Sequence, residues 1–386
     1  MSQKAKYIIN NVLWTFLSTV LIGAMLQTFL LEKGFSEDKV GQYVSLMQFV
    51  QMSVILIFSK FVDKIKNVIR LTAVSNLLYL PMLVLMSTMC FSGSNFTLLT
   101  IFGVIAYIAV GLYNVLTYKI PYHIMDMKNY GKWTGISGGI AAVILLVLTS
   151  VLSIVQKSMR YFNTMKYFYP FATVCALIFA IMTASYKDIG FSTVTEKKKK
   201  ISLLKYKPFT ILILPNLIRG FCAGIIGMAV TIGYASDKLN SVTAGILIVI
   251  TQTVSIPANY FYTKMADKEP MLILINSFGL LGAVSLMGRL NSTGFLICYG
   301  IAYFCLMIIN VAVPVLVTRI VDYEVAGQYN GWRILLNTVG TFSASVLCVP
   351  MLKLFGPTAT WIIAGLMQVI SGIVYYVYCK KYLINE

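Results

Sequence analysis

Charge is what this sequence has least of. Only 11% of its 386 residues are charged, where a soluble domain carries about 25%. Such a chain cannot clothe a water-facing surface. Acidic residues are the scarcest: 13 against 31 Lys and Arg, and all of them fall in loops or at the ends of apolar runs. Proton and sodium relays within membranes commonly use buried carboxylates, so coupling of that kind lacks its usual residues. The single histidine, His123, has no partner histidine, which argues against a histidine-based metal site; no metal and no cofactor are expected. The seven cysteines are scattered, with no CxxC pair, and the closest two, Cys298 and Cys305, stand two helical turns apart. They read as small core residues. No GxxxxGK[ST] loop is present, which disfavours a primary pump. A membrane enzyme would need clustered acids, histidines or a metal site, so no enzyme is expected.

What the sequence has is length in apolar runs. Hydrophobic residues make up 58% of it, and runs of about 20 residues, enough to cross a bilayer, recur from end to end. The spacing predicts twelve spans: 7–31, 39–59, 69–90, 95–122, 134–156, 167–185, 206–234, 240–262, 270–288, 293–319, 332–352 and 358–379. The first run is too long for a signal-peptide core and is read as a helix. The net charge of +18 does not mark a nucleic-acid partner, because the basic residues form no face; they sit in the short gaps between runs. With both termini in the cytoplasm, 22 of the 31 Lys and Arg fall inside and 8 outside. That excess follows the positive-inside rule. The longest polar connection, TVTEKKKKISLLKYK at residues 193–207, reads as a solvated linker between two halves. The boundaries follow as an N-terminal six-helix half over 1–192, a basic cytoplasmic linker over 193–205 and a C-terminal half over 206–386.

The halves repeat. IAYIAVGLYNV at 105–115 returns as IAYFCLMIINV at 301–311. A shift of 196 aligns Asn95 with Asn291, Tyr107 with Tyr303, Asn114 with Asn310 and Asp126 with Asp322. A shift of 204 aligns Gly23 with Gly227, Gly41 with Gly245, Gln48 with Gln252, Asp63 with Asp267 and Lys64 with Lys268. Chance similarity among apolar runs would match Leu and Ile, not Asn, Gln, Tyr and Asp. Partners are separated by six spans, so both copies cross in the same direction. This is the parallel duplication of transporter halves, with an expected midplane site between them. The fold expected is an all-α membrane protein of twelve transmembrane helices in two parallel six-helix repeats.

Polar residues inside the spans are the candidate solute contacts. Arg219, in PNLIRGFCAG, is the one charge deep in a span, about 13 residues or roughly 20 Å from its start. A guanidinium there suits a solute carboxylate or phosphate; the alternative is a bond to backbone carbonyls exposed near Pro215 or a pair with an Asp or Glu at a span end. Asn216 lies one turn earlier on the same face. Tyr107 and Asn114, and Tyr303 and Asn310, share a face in each copy because seven residues make nearly two turns. They suit a polyol or zwitterion, or else hydrogen bonds between helices. Gln48 and Gln252 carry the same two readings. Gly135, Gly138 and Gly139 read as close helix packing, Trp133 and Trp332 as interfacial anchors, and Asn95 and Asn291 as turn residues.

The loops after spans 2 and 8, SKFVDKIKNVIR and TKMADKEP, resemble the signature G-x-x-x-D-[RK]-x-G-[RK]-[RK] of the major facilitator superfamily. Asp63 and Lys64 match it, Ser59 and Lys66 stand at its glycines, and Asn67 and Val68 at basic positions. Together with twelve spans, duplicated halves and a basic central linker, the resemblance covers nearly the whole chain. It implies a cytoplasmic gate latched by Asp63, Lys64, Asp267 and Lys268, with Asp126, Asp322 and Arg333 as further gate candidates. TRIVDYEVAGQYNGWR at 318–333 also resembles the glycoside–pentoside–hexuronide:cation symporters, with Asp322, Tyr323 and Arg333 matched across two extra residues and Glu324 as the displaced acid. The resemblance implies a secondary transporter that moves a small polar solute, a sugar or glycoside or a small organic anion, by alternating access. Export of drug-like or peptide-like compounds, or a transport-inactive receptor or scaffold, are the alternatives. The expected partners are the small-molecule solute and membrane lipid, without nucleic acid and with no coupling ion named. The expected state is a monomer, integral to the plasma membrane.

Overall fold

The computed structural model describes residues 2–59, 65, 67–93, 95–117, 120, 130–159, 161–186, 207–264, 269–320 and 323–383. Every regular element among them is helical. In chain order these are α1 (Gln3–Leu21), α2 (Ala24–Glu32), α3 (Glu37–Ser59), α4 (Val68–Asn76), α5 (Leu80–Met89), α6 (Phe96–Leu116), α7 (Tyr130–Ser158), α8 (Tyr161–Ala184), α9 (Lys207–Gly227), α10 (Ala229–Ala235), α11 (Ser241–Lys264), α12 (Glu269–Met287), α13 (Ser292–Ile320) and α14 (Tyr323–Leu383). A 3-10 turn, Leu77–Tyr79, joins α4 to α5, because Pro81 in the next turn has no N–H to continue the α pattern.

Ten stretches are long and apolar enough to cross a bilayer. One of them, Gly331–Cys379, has 49 residues, more than two crossings of about 20 each. It turns back at Gly356, where φ is 76° and ψ 171°, and so supplies two. The bent pair Leu214–Gly227 and Ala229–Ala235, 49° apart, supplies one more. The described residues thus carry the twelve expected spans. Apolar side chains such as Val147, Ile154, Ile181 and Ile297 are exposed, as on helices whose outer face meets lipid.

The duplication is written into the geometry. Span 1 breaks between α1 and α2, where Gly23 is extended (φ −91°, ψ −153°) and the N–H groups of Ile22 and Gly23 both donate to the Ser18 carbonyl, at 2.9 and 3.2 Å. Thr15, Ser18 and Thr19 turn their hydroxyls back onto α1 carbonyls, a pattern that bends helices. Span 7 breaks at the repeat-equivalent place, between α9 and α10, just after Gly227. Asn95 and Asn291, aligned by the 196 shift, both cap helices: Asn95 Oδ1 accepts from Leu98 N at 3.1 Å and Asn291 Oδ1 from Gly294 N at 2.9 Å.

The chain packs into two compact units. The first comprises Met1–Ile189 and Ala229–Ile256, the second Gly190–Met228 and Pro257–Glu386. An aromatic cluster organises the first: Trp14 stacks on Tyr113 at 4.1 Å between ring centroids, and Phe179 packs against both at 6.3 and 5.4 Å. In the second, α9 and the arm of α14 before Gly356 meet backbone to backbone. A Cβ on Gly220 would lie 2.1 Å from the Asn337 carbonyl oxygen, and one on Gly340 2.2 Å from that of Leu217. Gly139, expected to pack closely, would have nothing within 4 Å of a Cβ added to it; that expectation fails because its face of α7 is open. All seven cysteines are free. Trp332 is exposed, in keeping with an interfacial place, whereas the side chain of Trp133 lies outside the described residues.

Candidate functional site

The first unit contains a cavity of about 240 Å³. Asn10, Asn11 and Trp14 reach it from α1, Tyr113, Asn114 and Thr117 from the end of α6, and Thr183 and Tyr186 from the end of α8. Its described lining mixes amides, hydroxyls and aromatic rings with Ile120 and includes no charged side chain. Burial pushes the Tyr186 phenol up to about 12 against the opposing effect of its hydrogen bond with Asn10, so Tyr186 is neutral at physiological pH. Thr183 ties the wall together. Its Oγ1 accepts from Asn10 Nδ2 at 3.1 Å and from Asn76 Nδ2 at 3.0 Å, and donates to the Phe179 carbonyl at 2.8 Å. Asn11 Nδ2 donates to Ser137 Oγ at 3.0 Å. The Oδ1 of Asn10, a buried residue, has no hydrogen-bond partner among the described residues. An aromatic face beside several amides and hydroxyls is the chemistry that grips a polyol: C–H faces stack on the rings, and hydroxyls both donate to and accept from amides.

The second unit contains Arg219. It is 6% exposed, and its Nη2 donates to Asn310 Oδ1 at 2.8 Å. Its Nε and Nη1 find no hydrogen-bond partner among the described residues. The carbonyl of Pro215 accepts from Ser371 Oγ at 3.0 Å, and the hydrogen bond that Arg219 makes among the described residues goes to Asn310. Tyr375, from the far arm of α14, and Arg333, from the near arm, both lie within electrostatic reach. Arg333 stands on a helix that begins at Tyr323, earlier than the span starting at 332 that the apolar pattern suggests. A buried cation with only a neutral partner costs several kcal/mol.

The remaining candidates divide. Asn216, one turn before Arg219, is fully buried. Tyr107 is sealed against Tyr43, and its hydroxyl has no partner among the described residues. Asn114, two turns on, opens into the cavity. The shared face therefore has one packed end and one open end. In the second copy, Tyr303 stacks on Tyr299 at 5.9 Å, and Asn310 holds the arginine. Gln48 is half-buried; Gln252 is buried and donates weakly to Thr251 Oγ1 at 3.4 Å. The gate candidates Asp63, Lys64, Asp126, Asp267, Lys268 and Asp322, the side chain of Glu324 and the 193–205 linker lie outside the described residues. Asn10, Asn11, Trp14, Tyr113 and Thr183 were not singled out by the sequence pattern, although Asn10, Asn11 and Trp14 fall at the three- and four-residue spacing of one helix face.

No curated protein matches this sequence. The fold is similar to that of a D-xylose–proton symporter, at a TM-score of 0.71 and 14% identity over 97% of this chain and 96% of that one. It is also similar to the fucose:proton symporter FucP of E. coli, at 0.64 and 12% over 98% and 97%, and to the nucleoside transporter NupG, at 0.64 and 11% over 97% and 99%. Residues 8–345 match the sequence profile of the Major Facilitator Superfamily, a match that takes in most of the chain, both clusters of polar residues and the broken first and seventh spans. The protein is a secondary transporter, not an enzyme, and belongs to the Major Facilitator Superfamily.

Proposed function

We propose that this transporter moves a small, neutral, polyhydroxylated solute of the sugar class by alternating access. The observation that carries the reading is the cavity of the first unit, whose described lining has no charged side chain and combines the Trp14–Tyr113 stack with the amides of Asn10, Asn11 and Asn114. Its volume of about 240 Å³ falls below the roughly 300–1,000 Å³ of drug-sized sites. That favours a monosaccharide-sized solute over the drug-like or peptide-like compounds of an exporter. The structural relatives named above carry xylose, fucose and nucleosides, solutes of the same chemistry. The gate in this reading is the cytoplasmic loop pair of Asp63, Lys64, Asp267 and Lys268, carried by the loop signature.

The test is binding and uptake with a monosaccharide panel. The purified protein titrated with pentoses and hexoses should change its tryptophan emission, and reconstituted vesicles should accumulate the same sugars. Asn114→Ala and Asn11→Ala should each weaken binding about tenfold, the cost of roughly one hydrogen bond to a polar ligand. A panel with no binder, or binding indifferent to both substitutions, would remove the cavity from the transport path.

A further inference from the structure

The neutral-solute reading leaves Arg219 unused, and a buried cation without a countercharge among the described residues calls for one. Its described neighbours Asn310 and Tyr375 are neutral. Nε and Nη1 are unpartnered among the described residues. Asn310 gives its carbonyl oxygen to Nη2. None of the residues of this unit whose side chains are described is acidic. A buried guanidinium with two unpartnered N–H groups and no described acid beside it recognises an anion, and it favours the oxygen pairs of carboxylates and phosphates over a spherical halide.

We propose that Arg219 and Asn310 form a binding site for a small carboxylate or phosphate-type anion, a second ligand beside the neutral solute. The absence of any acidic residue near a span centre of the sequence points the same way. A carrier coupled to protons or sodium commonly places a carboxylate within the membrane to hold its cation. This chain places a guanidinium there instead, and the ion that fits it is negative. The inference does not depend on the sugar reading, since it stands on the second unit alone.

The experiment uses the purified full-length protein at constant ionic strength, with sodium acetate, lactate and phosphate compared against chloride by thermal melting and calorimetric titration. At least one oxyanion should raise the melting temperature of the wild type by several degrees over chloride. Arg219→Lys should weaken that binding at least tenfold. Arg219→Gln should abolish it while melting, without anion, no lower than the wild type, because the substitution removes an uncompensated buried charge. Asn310→Leu decides the matter should Arg219→Gln fail to fold: the site requires a tenfold or greater loss. Oxyanions that act no differently from chloride, or an Arg219→Gln protein that responds as the wild type does, would overturn the proposal. A monosaccharide titrated in parallel separates the two readings, since its binding should survive Arg219→Gln.

Discussion

Gln27 and Thr231 are hydrogen-bonded, Thr231 Oγ1 donating to Gln27 Oε1 at 3.0 Å. They stand 204 residues apart, the offset of the internal repeat, so each is the other's duplicate. Both follow the glycine at which their span breaks, and Tyr234 donates to Glu32 at 3.0 Å close by. The two residues should therefore be energetically coupled. Gln27→Leu and Thr231→Val should each destabilise by about 1 kcal/mol. The double variant should cost less than the sum by about 0.5–1.5 kcal/mol. Thermal or denaturant unfolding of the four proteins measures this, and strict additivity would disprove the coupling.

Thr183→Val should cost more than either. It strands two buried amides, those of Asn10 and Asn76, and the loss of a partner for a buried donor costs about 1–3 kcal/mol each. Thr183→Ser keeps the acceptor and should recover most of the loss. Equal melting temperatures for the valine and serine variants would show that the hydroxyl does not tie the three helices together.

The glycines of α9 and α14 should be intolerant of any side chain. Gly220→Ala places a Cβ against the Asn337 carbonyl and should destabilise by at least about 1–3 kcal/mol, the usual cost of overpacking. Gly282 on α12 is the control: nothing lies within 4 Å of its Cβ position, so Gly282→Ala should be neutral or gain up to about 1 kcal/mol from helix propensity.

Trp14 should report on the first-unit cavity. Trp14→Phe keeps a ring on Tyr113 and should retain solute affinity within a few-fold, whereas Trp14→Leu should lose about tenfold, within the range of aromatic stacking at about 0.5–1.5 kcal/mol. Titrations of both variants with the sugar bound by the wild type provide the check; equal affinities would detach the stack from binding.

Much of this architecture was legible in the chain. Apolar length and the placement of Lys and Arg mark the spans, and the repeated Gly, Asn and Gln mark the halves. Arg219 stood out as the lone charge within a run. Its pairing with Asn310, itself marked by the repeat, did not, because the two are 91 residues apart and no periodicity links α9 to α13. The cavity wall was hidden for a related reason. Asn10 and Asn11 stand near the start of an apolar run, where polar residues ordinarily mark a span end, and Thr183 finds Asn10 from 173 residues away. Tyr107 and Asn114 share a face by helical arithmetic, yet only packing decides that one is sealed and the other open.

The crossing of α9 over the near arm of α14 has a mechanical consequence. With Gly220 and Gly340 in backbone contact, the two helices act as a single strut, and Arg219 and Arg333 are both mounted on it. Neither helix can slide along the other without first parting these backbones, so the spacing of the two guanidinium-bearing positions is set by the absence of two side chains rather than by contacts a rotamer change could release.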